Sequence, residues 1–359
     1  MSFAPITVAS VYHTCQTGGR ARRVTEPGAA RPTINDVARE CGVAASTVSR
    51  ALSQPGRINA QTAERIRQAA ERMGYRPNPI ARALPSGRTL MLALLVPDLT
   101  NPFFSEMIRG AERQANAGGY TLVLADTDES AEMEAVHIQR LARLVDGLVI
   151  GSPRLSDTKL ADFAARYPLV LVNRELGDVP HVVIDTPSGM IHAVEHVASL
   201  GHRSIAYLAG PRASWVDRRR WRALQSAARR LGLTMTRLGP FAPNMAGGTA
   251  AAEAVVNNEA TAVMAFNDLL AIGTMRRLLA RGLRVPEDIS VLGCDGIFGA
   301  DFCHPALTTL AAPLQDSGRA AVTLLLSTLA GPGSRQRVVL PTHLVVREST
   351  GPRASGDGH

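Results

Sequence analysis

The spacing of apolar positions changes character near residue 88. Between Thr33 and Met73 the apolar residues recur at helical intervals. Ile34, Val37, Ala38 and Cys41 predict a first helix. Val48 and Leu52 mark the inner face of a second, over residues 45–52, and Ile66, Ala69, Ala70 and Met73 that of a third. Thr33 with Asp36 three residues on has the form of a capping box, and Asn59 is a good N-cap for the third helix. Gly42 permits a sharp turn with Val43 plugging the corner, and Gly74 ends the third helix. After Gly87, continuous Val, Leu, Ile and Ala runs predict strands at 91–96, 121–125, 147–150, 169–172, 182–184, 205–209, 262–266 and 289–293. Amphipathic helices fit between them at 102–117, 190–200, 215–231, 269–281 and 314–329. Such runs suit strands buried on both faces, and their alternation with helices predicts doubly wound parallel sheets. The strands are too many for one ordinary open sheet, which predicts two lobes.

The second helix turns Ser46, Thr47, Ser49 and Arg50 outward. That face suits a DNA major groove: small residues allow close approach, hydroxyls bond phosphates, and arginine reads guanine through two hydrogen bonds. Further on, Y-R-P-N-P-I-A-R-A-L predicts a short helix capped by Asn78, with Pro79 at its first position. It is too short to be stable alone in water, and Ile80, Ala81 and Leu84 make little sense as a solvated linker.

The segments T-I-N-D-V-A, G-V-A-A-S-T-V-S-R-A-L and Y-R-P-N-P-I-A-R-A-L together resemble the LacI/GalR family of bacterial transcription regulators, over roughly residues 32 to 350. The resemblance implies that Ala45, Ser46 and Arg50 read bases. It implies that Thr33, Thr47, Ser49, Arg57, Asn59 and Thr62 hold phosphates. Asn78, Ala81 and Leu84 then belong to a hinge helix whose Leu84 wedges into the minor groove, a known mode of kinking DNA. Ala44 is a departure, since family members usually carry a phosphate-contacting serine there; the change implies weaker affinity and no change of class.

Charge supports the division. Residues 1–88 hold thirteen Arg against five acidic residues, while residues 89–359 hold twenty-six basic and twenty-six acidic ones, so the whole net charge of +8 falls on the first segment. That is the electrostatic footprint of a nucleic-acid partner. A basic tail accounts for Arg20, Arg22, Arg23 and Arg31 but not for arginines at set positions in capped helices. Cys15, Cys41, Cys294 and Cys303 have no metal-ligand spacing and no disulfide logic. No apolar run reaches membrane-spanning length and no clear signal peptide opens the chain, so a cytoplasmic, nucleoid-associated protein is expected.

The resemblance implies a body built like the periplasmic sugar-binding proteins: two Rossmann-like lobes, crossed by three linkers, with a ligand cleft between. The expected organisation is a disordered extension over 1–31, a helix-turn-helix domain over 32–77, a hinge helix and linker over 78–88, and an effector-binding and dimerisation domain over 89–350. Within the last, the amino lobe covers about 89–187 and 313–338 and the carboxy lobe about 188–312 and 339–350, followed by a disordered tail over 351–359. Ligands in such sheets bind beyond the carboxyl ends of the strands. Those ends carry aromatics with Asn, Asp and Arg, the mixture a sugar needs, since rings cover C–H patches while planar polar groups bond hydroxyls. The family places Phe103, Asn173, Arg220, Phe241, Asn267 and Asp295 at the effector site. Each has a plain alternative: Phe103 and Phe104 as core, Asp295 as a turn residue, Asn267 or Asp268 as a helix cap. Asp268 is expected to cap and Asn267 to face the ligand. Of the run Arg218, Arg219, Arg220 and Arg222, only Arg220 is singled out by motif position. His196 and His202 are expected at the surface or an interface. Ser214 and Val216 stand where purine-responsive relatives carry Arg and Thr ligand contacts, which weakens a purine reading.

An enzyme reading lacks support: there is no G-x-G-x-x-G loop, no G-x-S-x-G elbow and no His/Glu metal cluster. No cofactor and no catalytic or metal-binding residue is expected. The expected function is a sequence-specific repressor of carbohydrate-utilisation genes that binds a near-palindromic operator as a dimer or tetramer and is released by a small sugar-like effector. The alternative, corepression by a nucleobase or a phosphorylated metabolite, stays open.

Overall fold

The computed structural model describes residues 32–53, 56–75, 88–331 and 336–353. The expected hinge residues Asn78, Ala81 and Leu84 lie outside them, as do residues 1–31 and 354–359. The chain divides into two compact units, 1–81 and 82–359.

Among its described residues the first unit holds three helices: α1 (Ile34–Glu40), α2 (Ala45–Ser53) and α3 (Ala60–Arg72). Val37, Val48 and Ile66, one from each, are fully buried at its centre with Ala38, Cys41, Ala51, Ala69 and Ala70 around them. The start of α1 is fixed by Asp36, whose carboxylate accepts from the Thr33 N–H (2.8 Å) and hydroxyl (2.7 Å). Asn59 caps α3 by accepting from the Gln61 N–H at 2.9 Å. Gly42, at φ 59°, makes the left-handed step between α1 and α2 that a side chain rarely adopts.

The second unit contains two six-stranded sheets. Its elements, in chain order, are β1 (Met91–Val96), α4 (Pro102–Ala117), β2 (Thr121–Asp126), α5 (Ala131–Leu141), β3 (Gly147–Gly151), α6 (Asp157–Ala164), β4 (Leu169–Val172) and β5 (His181–Ile184). There follow α7 (Thr186–Ser199), β6 (Ser204–Leu208), α8 (Trp215–Arg230), β7 (Thr234–Leu238), α9 (Met245–Val256), β8 (Ala262–Ala265), α10 (Asp268–Ala280), β9 (Ser290–Asp295) and β10 (Thr308–Ala311). The last are α11 (Leu314–Ala330), β11 (Arg337–Leu340) and β12 (His343–Val345). One sheet has the order β11-β5-β4-β3-β1-β2 and the other β12-β10-β9-β8-β6-β7. Every pairing is parallel except β10 with β12. The chain passes between the sheets at Asp185, at Ala312–Pro313 and at Pro341–Thr342. The first and third passages are tied together, the Asp185 N–H donating to Leu340 O (2.8 Å) and the Thr342 hydroxyl to Asp185 O (3.0 Å).

Each sheet reverses its order beside its first strand, between β1 and β3 in one lobe and between β6 and β8 in the other. Crevices open at the carboxyl ends of strands at such switch points. Helices α4 and α11 flank the first sheet and approach so closely that a Cβ at Gly110 would lie 1.9 Å from Gln315 O, and one at Gly318 1.9 Å from Met107 O. Only glycine permits that approach.

The buried central strands are those expected from apolar runs. Elements absent from that reading are α5, α6, α9, β7, β10, β11 and β12. Strand β11 alternates exposed and half-buried residues at the rim of its sheet, and β12 has three residues. Helix α9, M-A-G-G-T-A-A-A-E-A-V-V, packs through small residues with no large apolar side chain every third or fourth position.

Candidate functional site

On the first unit, α2 carries the surface expected to meet DNA. Ser46 and Arg50 are exposed, while Ala45, Thr47 and Ser49 are half-buried between them and the core. Val48, on the opposite face, is fully buried, so α2 is held from behind and its outer face is set. Thr33, Arg57 and Asn59 are exposed and Thr62 half-buried, at the starts of α1 and α3 and in the segment between α2 and α3. Backbone N–H groups at helix starts, with hydroxyl and guanidinium groups beside them, are suited to phosphate.

On the second unit, a cavity lies at the switch points of both sheets. The amino-lobe wall carries Phe103 and Phe104 from the start of α4, Glu129 beyond β2, Ser152 and Arg154 beyond β3, and Asn173 beyond β4. The carboxy-lobe wall carries Ser214, Val216 and Arg220 from the start of α8, Phe266 and Asn267 beyond β8, and Asp295 at the end of β9. Among the described residues, six non-glycine positions have positive φ, and five of them (Asp128, Glu129, Ser152, Asn173 and Asp295) cluster at or beside this cavity. Strained backbone concentrated in this way marks a place where side chains are held for a purpose.

The carboxy wall centres on Arg220, which is 3 % exposed. Its Nε donates to Thr186 Oγ1 (3.1 Å), its Nη1 to Phe266 O, and its Nη2 to Asp295 Oδ1 (3.5 Å). The guanidinium also lies 5.0 Å from the Phe266 ring centroid. Burial pushes the Asp295 carboxyl up to about 8; Arg220 pulls against this and the neighbouring Asp268 carboxyl adds to it. The amino wall centres on Arg154, whose Nε and Nη2 make paired bonds of 2.5 and 3.0 Å to the Glu129 carboxylate. Its Nη1 donates to Ser152 O at 2.6 Å and its backbone N–H to Glu134 Oε2 at 2.7 Å. Burial raises the Glu134 carboxyl, with the Arg154 and Leu155 N–H groups opposing.

Five of the six expected cleft residues, Phe103, Asn173, Arg220, Asn267 and Asp295, line this one cavity. Phe241 does not. It lines an adjacent outer groove with Pro97 and Arg212, because its N–H bonds to Ala209 O (2.9 Å) and its ring folds back over Gly239. Asn267, and not Asp268 as expected, caps α10, and Asn267 also lines the cavity. It accepts from the Leu270 N–H (3.0 Å), and its amide donates to Pro243 O (2.8 Å). Asp268 is wholly buried and accepts from Thr309 Oγ1 (2.5 Å) and the Ile297 N–H (2.9 Å), joining α10 to the loops after β9 and to β10. Burial pushes its carboxyl up to about 6, with those donors opposing. His202 is not at the surface: it is 2 % exposed and bonds Thr261 Oγ1 (2.9 Å) and Ser290 Oγ (3.0 Å). Of the arginine run, Arg220 alone is buried; Arg219 lies over the Trp215 ring, 4.9 Å from its centroid. Phe103 and Phe104 are both core and cavity wall, set edge to face at 4.9 Å. Glu129, Ser152 and Arg154 went unread in the sequence, although they too follow strand ends, β2 and β3. Among the described residues no three His, Cys, Asp or Glu side chains could hold a metal ion, and no helix is long and apolar enough to cross a membrane.

A three-helix unit with a set outer face on α2, joined in one chain to a two-sheet unit with a polar cleft, defines a DNA-binding regulator. Residues 33–78 match the model of the bacterial regulatory proteins of the lacI family, and residues 194–350 that of the periplasmic binding protein-like domain. The chain is 32 % identical to the transcriptional regulator DegA of Bacillus subtilis (strain 168), over 90 % of this chain and 99 % of that one. It is 33 % identical to the transcriptional repressor CytR of Escherichia coli (strain K12), over 89 % of this chain and 96 % of that one. The Lac repressor dimer bound to operator and the anti-inducer ONPF superposes with a TM-score of 0.79 at 27 % identity, covering 89 % of this chain and 99 % of that one. A LacI family regulator from Enterococcus faecalis V583 with bound ribose gives 0.68 at 28 % identity, covering 73 % and 99 %. The chain belongs to the LacI family and is a DNA-binding transcriptional repressor.

Proposed function

We propose that this repressor holds a near-palindromic operator as a homodimer and releases it when a sugar-like effector fills the cleft. The observation that carries this is the cleft lining. Two guanidinium–carboxyl pairs, three phenylalanines and the amides Asn173 and Asn267 surround one cavity at the strand ends. Such a lining meets a sugar with rings against C–H faces and polar groups against hydroxyls. The ribose-bound relative from Enterococcus faecalis supports the same reading. Ser214 and Val216 on the carboxy wall offer no cationic contact to a purine, which weighs against nucleobase corepression.

In this reading Ala45, Ser46 and Arg50 read base edges while Thr33, Thr47, Ser49, Arg57, Asn59 and Thr62 hold phosphates. Asn78, Ala81 and Leu84 form a hinge helix that wedges into the minor groove. One three-helix unit buries too little surface for operator affinity by itself, so two copies are needed. The effector favours one orientation of the lobes and thereby weakens the hinge, with a coupling of about 1–3 kcal/mol typical of such linkage. The test is a thermal-shift screen against monosaccharides, followed by a mobility shift on the promoter of the chain's own operon. A neutral sugar should raise the unfolding midpoint and release the DNA. A ligand that tightens the complex instead would reverse the sign of regulation.

A further inference from the structure

We infer that Glu129 makes this cleft selective for uncharged, hydroxyl-rich ligands and excludes their phosphorylated counterparts. The inference rests on the reading of the cavity as the effector site and goes beyond it by naming the side chain that sets ligand charge.

The lining contains four charged residues, Glu129 and Arg154 on one wall and Arg220 and Asp295 on the other. Each guanidinium is matched to a carboxyl, by the paired 2.5 and 3.0 Å bonds of Arg154 and by the 3.5 Å contact of Arg220. An arginine has five N–H donors. Glu129 takes two from Arg154 and Ser152 O takes a third, which leaves two for a ligand. The Glu129 carboxylate is brought to this place by consecutive left-handed residues, Asp128 at φ 49° and Glu129 at φ 55°. Neither is glycine, so the turn costs energy that only a fixed carboxylate position would justify.

A ligand hydroxyl satisfies both partners at once, accepting from Arg154 and donating to a free lone pair of Glu129. A phosphate cannot donate to Glu129 when ionised. It would meet an Arg154 guanidinium already paired with Glu129 and bring its negative charges against the Glu129 carboxylate, where like charges repel. Glu129 is therefore the repulsive element that specificity requires alongside attraction.

The experiment uses the full-length protein and three matched pairs of probes: D-ribose and D-ribose 5-phosphate, D-glucose and D-glucose 6-phosphate, cytidine and cytidine 5′-monophosphate. Affinities are read by calorimetry and thermal midpoint. In the wild type a neutral member should bind at least tenfold more tightly than its phosphate. Glu129→Gln should weaken the neutral member and bring the phosphate within tenfold of it or past it. Arg154→Met, a second variant that leaves Glu129 without its partner, should weaken the neutral member at least tenfold and keep the phosphate excluded. Retained operator binding shows that each variant is folded. If the wild type binds a phosphate as well as its neutral partner, or Glu129→Gln keeps the wild-type preference, the role given to Glu129 is wrong while the effector cleft stands. If no probe moves the wild-type midpoint, the sugar-like effector reading falls and this inference with it.

Discussion

The two walls of the cleft solve one problem differently. Each places an arginine beside a carboxyl at the switch point of its sheet. On the amino wall the pair is short and doubly bonded, and Glu129 keeps about a quarter of its side chain exposed. On the carboxy wall Asp295 is nearly all buried and its bond to Arg220 is long, while Arg220 is occupied by Phe266 O and Thr186. The amino pair is joined by two bonds before a ligand arrives. The Asp295 carboxyl has the long Arg220 bond and the Cys294 side chain as partners, so a short bond from a ligand hydroxyl adds most there. The difference predicts that affinity is concentrated on the carboxy wall and charge selection on the amino wall.

The largest expected effect therefore belongs to Asp295. Asp295→Asn should reduce effector affinity by about 100-fold, roughly 3 kcal/mol, while leaving operator affinity within about twofold. Anisotropy titrations of labelled operator with and without the sugar that stabilises the wild type measure both. A loss no greater than that of Arg154→Met would erase the asymmetry between the walls.

The next effect is on stability and comes from the same wall. Asp268 and Asp295 have carboxyls raised by burial to about 6 and about 8, above the ordinary value near 4 in the unfolded chain. Between those limits the folded state keeps protons that the unfolded chain has released, so their contribution falls as pH rises from about 4 to about 8 and is flat above. Asp268→Asn should flatten that slope, changing the relative stability between pH 4 and pH 8 by about 2–3 kcal/mol. Unfolding midpoints measured across that range, for wild type and variant, check the sign. An equal slope in both would place the titration elsewhere.

Arg50→Ala serves as the contrast, since it belongs to neither wall. It should cost about 1–3 kcal/mol on the cognate operator, much less on random DNA, and leave effector binding unchanged. Equal losses on both DNAs would make Arg50 a phosphate clamp. The smallest effect is expected from Asn267→Ala. Removing this cap should lower stability by about 1 kcal/mol and weaken the effector by less than tenfold, because both polar ends of the amide already have protein partners. A collapse of affinity there would make Asn267 a principal contact of the carboxy wall.

The sheets were legible because their central strands are buried on both faces and read as unbroken apolar runs. The rims were not: β11 and β12 are short and half-exposed, and α9 packs by small residues. The site followed the same division. Residues just beyond legible central strands, Phe103, Asn173, Arg220, Asn267 and Asp295, could be placed. That Asn267 rather than Asp268 caps α10 could not, because either can cap a helix, and Asp268 is bonded instead to Thr309 on β10, a strand the pattern did not reveal. The Glu129–Arg154 pair was hidden for a related reason: its members are 25 residues apart, and nothing local distinguishes them from surface charges.

The ends of β4 and β9 occupy the same rank in their respective sheets, and each is closed by a left-handed polar residue, Asn173 at φ 58° and Asp295 at φ 125°. The receptor is thus one structural theme stated twice and then edited separately in each copy. Such a molecule can be retuned by halves. A loop altered beyond β2 or β3 changes what one half accepts without disturbing the grip of the other, so a new ligand can be acquired in small heritable steps.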